Sequence, residues 1–368
     1  MCDLAHRPPN HRKTNTGGHF MFEISTVSPS DAAGREAVRT LLQREGIRLD
    51  THLDYTCAIY DERRAAIATG SCYANTLRCF AVDHAHRGKG LMHRILTHLM
   101  EVQKQRGHAG VFLYTKVSTA FFFQKLGFHE IARVPDSIVF LENQAAGFPS
   151  YLKKLQDETP RGYASPISAL VLNANPFTLG HQYLVEYAAR ESTLLHIFIV
   201  SEDISFFPFA VRERLVRAGT AHLKNVTYHA SGPYIVSQAT FPSYFQKDED
   251  AAILGHARLD IAVFQRIAAA LGITCRYVGS EPSSHVTNLY NETMTQFLPE
   301  TNIECRIIPR KEAEGAPISA STVRRYIQEG NLAALASLVP PSTLAFLQSD
   351  ESEEIRRKII QTADVVHY

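Results

Sequence analysis

The sequence predicts an α/β protein of two domains, an N-terminal α+β domain followed by a domain built on a doubly wound parallel sheet. Its 368 residues are more than one ordinary core requires, which indicates two domains. With 45% hydrophobic and 20% charged residues, the chain can bury sizeable cores. Apolar strands alternate with helices in its second half, which is the pattern of a parallel sheet covered on both faces.

The first domain is predicted at residues 20–142, after a flexible basic arm at residues 1–19. It begins with a helix, SPSDAAGREAVRTLLQREG, capped by Ser30 or Asp31, and with two strands around a charged turn, YTCAIYDERRAAIATGSCYA. A strand, LRCFAV, then precedes a helix whose apolar residues recur at helical spacing from Leu91. The strand GVFLYTK, the short helix TAFFFQKLGF and a final strand complete the domain.

Residues 143–165 are predicted to link the domains, because glycines and prolines recur there among charged residues, with one short helix near Tyr151–Gln156. The second domain is predicted at residues 166–340, and residues 341–368 as a helical tail. Its strands are ISALVLN, LLHIFIV, NVTYHA, TCRYVG and IECRIIP, with helices such as FAVRERLVRAGTAH and RLDIAVFQRIAAALG between them. Such sheets bind ligands beyond the carboxyl ends of their strands, at the switch point.

Charge and apolar patterning exclude several classes of function. A formal net charge of +1 gives no general attraction to nucleic acid. No apolar run approaches the ~18 residues that span a membrane, and the N-terminal arm lacks the apolar stretch of a secretory signal. We therefore expect a cytoplasmic protein that binds neither nucleic acid nor membrane. The cysteines form no C-x-x-C pair and no metal cluster is predicted, so we expect buried, reduced thiols. They are Cys2, Cys57, Cys72, Cys79, Cys275 and Cys305.

The stretch LVLNANPFTLGHQYLVEYAAR joins a buried strand to a helix. Thr178, Gly180 and His181 then lie at the carboxyl end of the strand and at the start of the helix, where free N–H groups and the helix dipole favour phosphate oxygens. Gly180 would let a phosphate approach the backbone closely, and Thr178 and His181 can donate hydrogen bonds to it. The alternative is a turn followed by a helix-capping Thr.

A second stretch, PISASTVRRYIQEGN, places Ser319 and Ser321 at the start of another helix, with Arg324 one turn inside it. It follows the predicted strand IECRIIP of the same sheet, so the two helix starts should meet at one edge. The alternative is an ordinary N-cap followed by solvated arginines. In either case Arg324 is expected to be exposed and to contribute little to the core.

These two stretches resemble the nucleotidyltransferase superfamily that carries an (H/T)-x-G-H motif. Thr178-Leu179-Gly180-His181 matches that motif, and Ile318, Ser319, Ser321 and Arg324 match the second signature, I-S-x-[ST]-x-x-R. The resemblance implies that the first motif holds a nucleoside triphosphate and that Arg324 contacts its β- and γ-phosphates. It also implies in-line attack on the α-phosphorus with release of pyrophosphate, and Mg²⁺ to neutralise part of the charge.

Three further stretches make the chain similar to the citrate lyase ligase family from Phe20 onward: NANPFTLGHQYLVEYAA, YVGSEP followed by TNLYN, and GPYIVSQATFPSYFQK. The resemblance implies that acetate is joined, through acetyl-adenylate, to the thiol of the citrate lyase acyl carrier protein, whose prosthetic group is of the dephospho-CoA type, and that ATP becomes AMP and pyrophosphate. It implies catalytic roles for Thr178, His181 and Arg324. The implied ATP-binding residues are Asn175, Pro176, Phe177, Thr178, Gly180, His181, Gly279, Glu281, Ser319, Ser321 and Arg324.

Taken without the family, YVGSEP is a strand end with a tight turn, and the aromatic residues of YIVSQATFPSYF are packing residues. With it, Gly279 and Glu281 would lie near the nucleotide, and the aromatic loop could cover the site.

The first domain resembles the Gcn5-related N-acetyltransferases. Arg87, Gly88, Lys89 and Gly90 match their pyrophosphate loop, in which successive N–H groups surround the CoA diphosphate, and FFFQKLGF resembles a later segment. Met92, however, stands where that family has Gly or Ala. Acetyl transfer, binding of the CoA-like arm of the carrier, and neither activity therefore remain alternatives.

Two other functions share these motifs. A nucleotide adenylyltransferase acting on a phosphorylated cofactor precursor would use the same phosphate site but would release no free AMP. A noncatalytic carrier-protein adaptor or nucleotide sensor would bind without turnover, and steady hydrolysis of ATP would exclude it.

Overall fold

The computed structural model describes residues 23–50, 52–241, 250–281, 284–313 and 315–363. The predicted N-terminal arm lies outside these residues. Contacts divide the chain into two compact units. Unit 1 contains the residues up to Tyr73 together with Cys79–Glu101, and unit 2 contains Ala74–Arg78 and everything from Val102.

Unit 1 is built from short antiparallel strands and two helices. Its elements are β1 (Ile24–Thr26), α1 (Ala32–Arg44), β2 (Tyr55–Tyr60), β3 (Ala66–Tyr73), most of β4 (Thr76–Val82) and the larger part of α2 (Leu91–Gln105). β2 pairs with β1 and β3. Asp31 caps α1 by accepting a hydrogen bond from the backbone N–H of Gly34 at 2.9 Å, which confirms one of the two predicted caps.

The first part of unit 2 consists of strands and two helices that precede the parallel sheet. They are β5 (Phe112–Lys116), α3 (Val117–Lys125), β6 (His129–Val134), β7 (Ile138–Glu142) and α4 (Gly147–Glu158). The first residues of β4 pair in parallel with β5, and β7 pairs antiparallel with both β5 and β6. α4 extends the short helix that was predicted near Tyr151–Gln156 at both ends.

The second part of unit 2 contains all five predicted strands and their helices. They are β8 (Ile167–Leu172), α5 (Leu179–Arg190), β9 (Leu194–Ile199), α6 (Phe209–Gly219), β10 (Val226–Ala230), α7 (Asp250–Leu271), β11 (Cys275–Gly279), α8 (His285–Phe297) and β12 (Glu304–Ile308). A hairpin of β13 (Glu312–Ala313) and β14 (Ala316–Pro317) follows, then α9 (Ala320–Gln328), α10 (Pro341–Gln348) and α11 (Glu353–Gln361). α7 begins at Asp250, earlier than the predicted start at Arg258.

The five strands are parallel and lie in the order β10-β9-β8-β11-β12. The chain moves outward on one side as far as β10 and then crosses to β11 on the other side of β8. The order therefore reverses between β8 and β11, and a cleft is expected there at the carboxyl edge. The prediction of a doubly wound parallel sheet is confirmed.

Each face of this sheet is covered by its own apolar cluster. One cluster joins α5, α6 and α9 to the sheet through residues such as Val185, Val216 and Val323. The other joins α7 to β5–β7, where Phe112, Ile131 and Phe140 pack in the same cluster as Phe264. Phe148 and Leu155 of α4 are buried in it too. Residues 143–165, predicted as a linker, therefore include a helix that belongs to this core.

The described cysteines are free thiols. Cys57, Cys72, Cys79 and Cys275 are buried and Cys305 is half-buried. Burial raises the pKa of Cys57 to about 12 and that of Cys275 to about 11, so neither is a thiolate near neutral pH. In the part of the chain that the structure describes, no helix is long and apolar enough to cross a membrane.

Candidate active site at the carboxyl edge of the parallel sheet

A buried arginine fixes the ends of the first two strands of the sheet. The guanidinium of Arg212, from α6, donates to the backbone carbonyls of Val200 at 2.6 Å, Glu202 at 2.7 Å and Asn173 at 3.0 Å. Its Nε donates to the carbonyl of Phe207 at 2.8 Å. The carbonyls of Asn173, Val200 and Glu202 follow β8 and β9, so one side chain supplies hydrogen-bond donors to the backbone at the ends of both strands. This role could not be predicted from the sequence, in which Arg212 is one of several charged residues on an amphipathic helix.

The turn between β8 and α5 is held from both sides. The side-chain oxygen of Asn175 accepts a hydrogen bond from the N–H of Phe207 at 3.1 Å. Phe177 is completely buried and packs closely on Gly219. A Cβ at Gly219 would lie 2.4 Å from the Phe177 ring. The contacts of Asn175 and Phe177 therefore fix the turn on both sides of Pro176.

Thr178 and His181 form a reciprocal cap at the start of α5. The Thr178 hydroxyl oxygen accepts a hydrogen bond from the His181 N–H at 3.3 Å, and Nδ1 of His181 accepts one from the Thr178 N–H at 3.1 Å. Because Nδ1 is used as an acceptor, a neutral ring carries its proton on Nε2. Nε2 makes no hydrogen bond to any residue that the structure describes, so it remains a donor for a ligand.

His181 is held in its neutral form. Burial, together with the positive charge of Arg310, lowers its pKa to about 4. The ring also stacks on Phe177, with 5.8 Å between ring centroids and an interplanar angle of 18°. The result is a fixed, uncharged N–H donor at a helix N-terminus.

Gly180 brings the two helix starts together. A Cβ at this position would lie 2.9 Å from the backbone carbonyl oxygen of Ile318, two residues before α9. We expected glycine here because phosphate would approach the backbone. The structure adds a second requirement for glycine, because the backbone segment leading into α9 lies against this position.

Gly180→Ala is therefore expected to destabilise the protein by about 1–3 kcal/mol, as overpacking usually does, and to lower turnover by displacing the start of α9. The measurements are the melting temperature and the catalytic rate. Gly255→Ala is the matched control, since Gly255 lies in helix α7 with no atom near its missing Cβ. That change should stabilise by up to about 1 kcal/mol. Equal stability of the two variants would contradict the contact.

The start of α9 is capped by Ser319, whose hydroxyl accepts a hydrogen bond from the N–H of Thr322 at 3.0 Å. Arg324 was expected to be exposed, and this was wrong, because only 2% of it is accessible. Its guanidinium donates to the backbone carbonyl of Asn175 and, at 3.2 Å, to the hydroxyl of Ser321. It therefore links α9 to the turn before α5, across 149 residues of sequence.

The ends of β11 and β12 form the other wall. The side chain of Asn291, from α8, donates to the carbonyl of Gly279 at 3.0 Å. Glu281 forms an ion pair with Arg310, which follows β12. Arg310 was not predicted. The available signal was its position directly after a strand of the same sheet, IECRIIPR, where the other motifs also follow strands.

The structure thus brings together the residues of both motifs and places Gly279 and Glu281 at the same sheet edge. Arg87, Gly88, Lys89 and Gly90 belong to unit 1 instead. They form an exposed loop before α2, with an ion pair between Arg87 and Glu45 and with open space at both glycines, whose φ angles are 78° and 72°. The loop after β10 is packed as far as Phe241, with Tyr234 and Ile235 buried. Its remaining predicted residues, 242–247, lie outside the described ones.

Comparison with known proteins agrees with this geometry. A family model for the citrate lyase ligase C-terminal domain matches residues 167–347, and a model for the acetyltransferase (GNAT) domain matches residues 53–130. A citrate (pro-3S)-lyase ligase from Klebsiella pneumoniae is 37% identical over 329 residues, which cover 88% of this chain and 95% of that protein.

Two further relatives carry the same name. The protein from Haemophilus influenzae (strain ATCC 51907 / DSM 11121 / KW20 / Rd) is 37% identical, over 84% of this chain and 94% of its own. The protein from Escherichia coli (strain K12) is 36% identical, over 89% of this chain and 94% of its own. Because the similarity extends over nearly the full length of these relatives and over both domain types, the chain belongs to the citrate lyase ligase family.

Proposed function

We propose that the protein is an ATP-dependent ligase that joins acetate to the prosthetic-group thiol of the citrate lyase acyl carrier protein. The observation that carries the proposal is the convergence of two capped helix starts, a neutral His181 and a buried Arg324 at one sheet edge. Helix starts and N–H donors are suited to a polyphosphate. The names of the relatives support the same assignment, since each is called a ligase of citrate lyase.

The chemistry takes place in two steps. A carboxylate oxygen of acetate attacks the α-phosphorus of ATP, and the bond from that phosphorus to the bridging oxygen breaks, which gives acetyl-adenylate and pyrophosphate. The carrier thiol then attacks the acyl carbon, AMP leaves, and the thiol proton is released to solvent. The main demand on the protein is to stabilise charge on the phosphoryl and leaving groups.

The side chains at the site fit this demand. Nε2 of His181 is an oriented donor, and the hydroxyls of Thr178 and Ser319 already act as helix caps rather than as nucleophiles. This supports direct transfer without a covalent enzyme intermediate. Gly279, Ser321 and Arg324 surround the same edge and complete the proposed ATP site.

Mg²⁺ is proposed to arrive with the nucleotide. Among the described residues, no group of three His, Cys, Asp or Glu side chains could hold a metal ion. Magnesium commonly binds through substrate phosphates and needs few protein ligands. A site without a dedicated group of metal-binding side chains is therefore compatible with Mg²⁺. When bound, Mg²⁺ would supply charge neutralisation on the phosphate chain.

The N-terminal acetyltransferase-like domain is proposed to bind the CoA-like arm of the carrier. Its exposed loop at Arg87–Gly90, with two glycines in left-handed conformation, offers backbone N–H groups of the kind that bind diphosphates. We also propose that this arm is a prosthetic group of the dephospho-CoA type and that the protein acts in the cytoplasm.

The test separates the ligase from a nucleotide adenylyltransferase. Mixed-anhydride formation needs no carrier and is reversible while pyrophosphate is bound. We therefore expect acetate-dependent exchange of labelled pyrophosphate into ATP by the full chain alone, and trapping of the acyl group by hydroxylamine as AMP accumulates. Pyrophosphate exchange that does not depend on acetate and requires a phosphorylated cosubstrate would favour the adenylyltransferase. Binding of ATP without any turnover would favour a nucleotide sensor.

A further inference from the structure

Arg310 and Glu281 form a part of the site edge that neither phosphate motif includes. β11 and β12 pair in parallel with Gly279 opposite Ile308, so the residues after each strand stay side by side. The Glu281 carboxylate pairs with the Arg310 guanidinium, and Nε of Arg310 donates to the backbone carbonyl of Ser280 at 2.7 Å. Only 24% of the Arg310 side chain is exposed. Arg310 is therefore a fixed cation and not a solvated one.

The backbone after Arg310 leads directly to the first motif. The N–H of Ile318 donates to the carbonyl of Lys311 at 2.9 Å, and the carbonyl of Ile318 lies against Gly180. The positive charge of Arg310 also contributes to the lowered pKa of His181, after burial. Both observations place the positive charge of Arg310 near the start of α5, where His181 lies.

Arg310 keeps donors for a second anion. A guanidinium carries five N–H groups, and the contacts above use Nε and Nη2. Nη1 makes no hydrogen bond to a residue within the described ranges. An arginine can therefore hold a carboxylate at one edge and a phosphate at another, with a geometry that the carboxylate fixes.

We propose that Arg310 contacts the polyphosphate of the nucleotide directly, next to His181, and that Glu281 is a positioning residue that holds the guanidinium there. This proposal rests on the proposed function only in taking ATP as the nucleotide that binds. As the bond to the leaving pyrophosphate breaks, charge accumulates on its oxygens, and a cation already in place stabilises that charge without rearrangement. Glu281, expected from the sequence to bind ATP, then acts through Arg310.

The first experiment measures binding of ATP and of inorganic tripolyphosphate to the full chain by calorimetry. Arg310→Gln should weaken both by about 10- to 100-fold, the usual worth of a charge-assisted hydrogen bond, and should leave adenosine binding unchanged. The matched control is Arg306→Gln. Arg306 lies on β12, forms an ion pair with Glu304 and is 43% exposed, so its loss should change affinity by no more than about twofold. Unchanged affinity in a folded Arg310→Gln protein, or an equal loss in the control, would overturn the proposal.

The second experiment tests the positioning role by a double-variant cycle on pyrophosphate exchange. Glu281→Gln should lower kcat by about tenfold or more but add nothing in the Arg310→Gln background. Effects that multiply would show that Glu281 acts independently.

A third readout needs no activity. By NMR, Arg310→Gln should raise the pKa of His181 and Arg306→Gln should not. An unchanged pKa in Arg310→Gln would contradict the placement of its guanidinium beside His181. If the unaltered protein shows no acetate-dependent exchange, the proposed function fails, while the tripolyphosphate and NMR results still decide the role of Arg310.

Discussion

His181→Ala is expected to lower turnover on the order of 10²-fold or more, the usual cost of removing one preorganised donor from a charge-stabilising site. The substitution removes the Nε2 donor and also the acceptor for the Thr178 N–H. The second loss should cost about 1 kcal/mol of stability, as for other N-caps, so the protein should still fold. Steady-state formation of AMP, compared at equal concentrations of folded protein, measures the effect.

Two further variants separate the capping role of His181 from its donor role. The Asn side chain places an oxygen near the position of Nδ1 and lacks a group at Nε2, whereas Gln places an amide nitrogen near Nε2. His181→Asn should therefore keep the melting temperature and lose activity like Ala, and His181→Gln should retain more activity. Near-normal turnover in folded His181→Ala would refute the assignment.

The pH dependence has a defined sign. The pKa of His181 is lowered in the folded state to about 4, from the ordinary 6.5 of a histidine side chain. The folded state therefore binds fewer protons, so this contribution to stability is fully present above pH 6.5 and is lost as the pH falls from about 6.5 toward 4. His181 should accordingly contribute no ionisation near pH 6.5 to the profile of kcat/KM.

Arg324→Ala is expected to lower both turnover and stability. Its guanidinium is buried and donates to the carbonyl of Asn175, so truncation removes a buried charge-assisted hydrogen bond, at a cost of about 1–3 kcal/mol. Turnover should fall on the order of 10²-fold, because the charge is lost and the two helix starts lose their connection. Thermal unfolding and the rate of AMP formation measure the two effects.

Arg325→Ala is the matched control for this change. Arg325 is the next residue of α9, and its side chain is 55% exposed beside Glu329. Truncating it removes the same charge as truncating Arg324. Its truncation should alter stability by less than about 1 kcal/mol and leave turnover unchanged. Arg324→Lys keeps the charge but not the planar geometry, so it should recover stability better than activity. A folded Arg324→Ala protein with normal turnover would make Arg324 a purely structural residue.

The fold class was predictable because its signals are local. Apolar strands without polar alternation, each followed by a helix, are visible in any window of the sequence, and they predict a covered parallel sheet. The helix starts at Thr178 and Ser319 were predictable for the same reason, since an N-cap is a relation between residues three apart. The citrate lyase ligase family could be recognised from the order of two such local motifs.

Burial and pairing between distant segments were not predictable in this way. Arg324 has the sequence context of a solvated helix residue, yet the strand order brings it against the turn that contains Asn175. Arg212 and Arg310 have similar contexts, yet Arg212 holds the ends of two strands, and Arg310 pairs with Glu281 and lowers the pKa of His181. Local periodicity does not reveal which charged side chain will meet backbone carbonyls from another part of the chain.

The sequence by itself therefore determined the alternation of elements, the two helix starts and the family. Only the tertiary structure decided that Gly180 makes room for the Ile318 backbone, that Nδ1 of His181 is consumed by the helix cap, and that Arg324 is buried. The physical reason is the range of the interactions. Capping and periodicity act within a few residues, whereas burial, pKa shifts and close backbone contacts depend on which strands lie next to each other in the sheet.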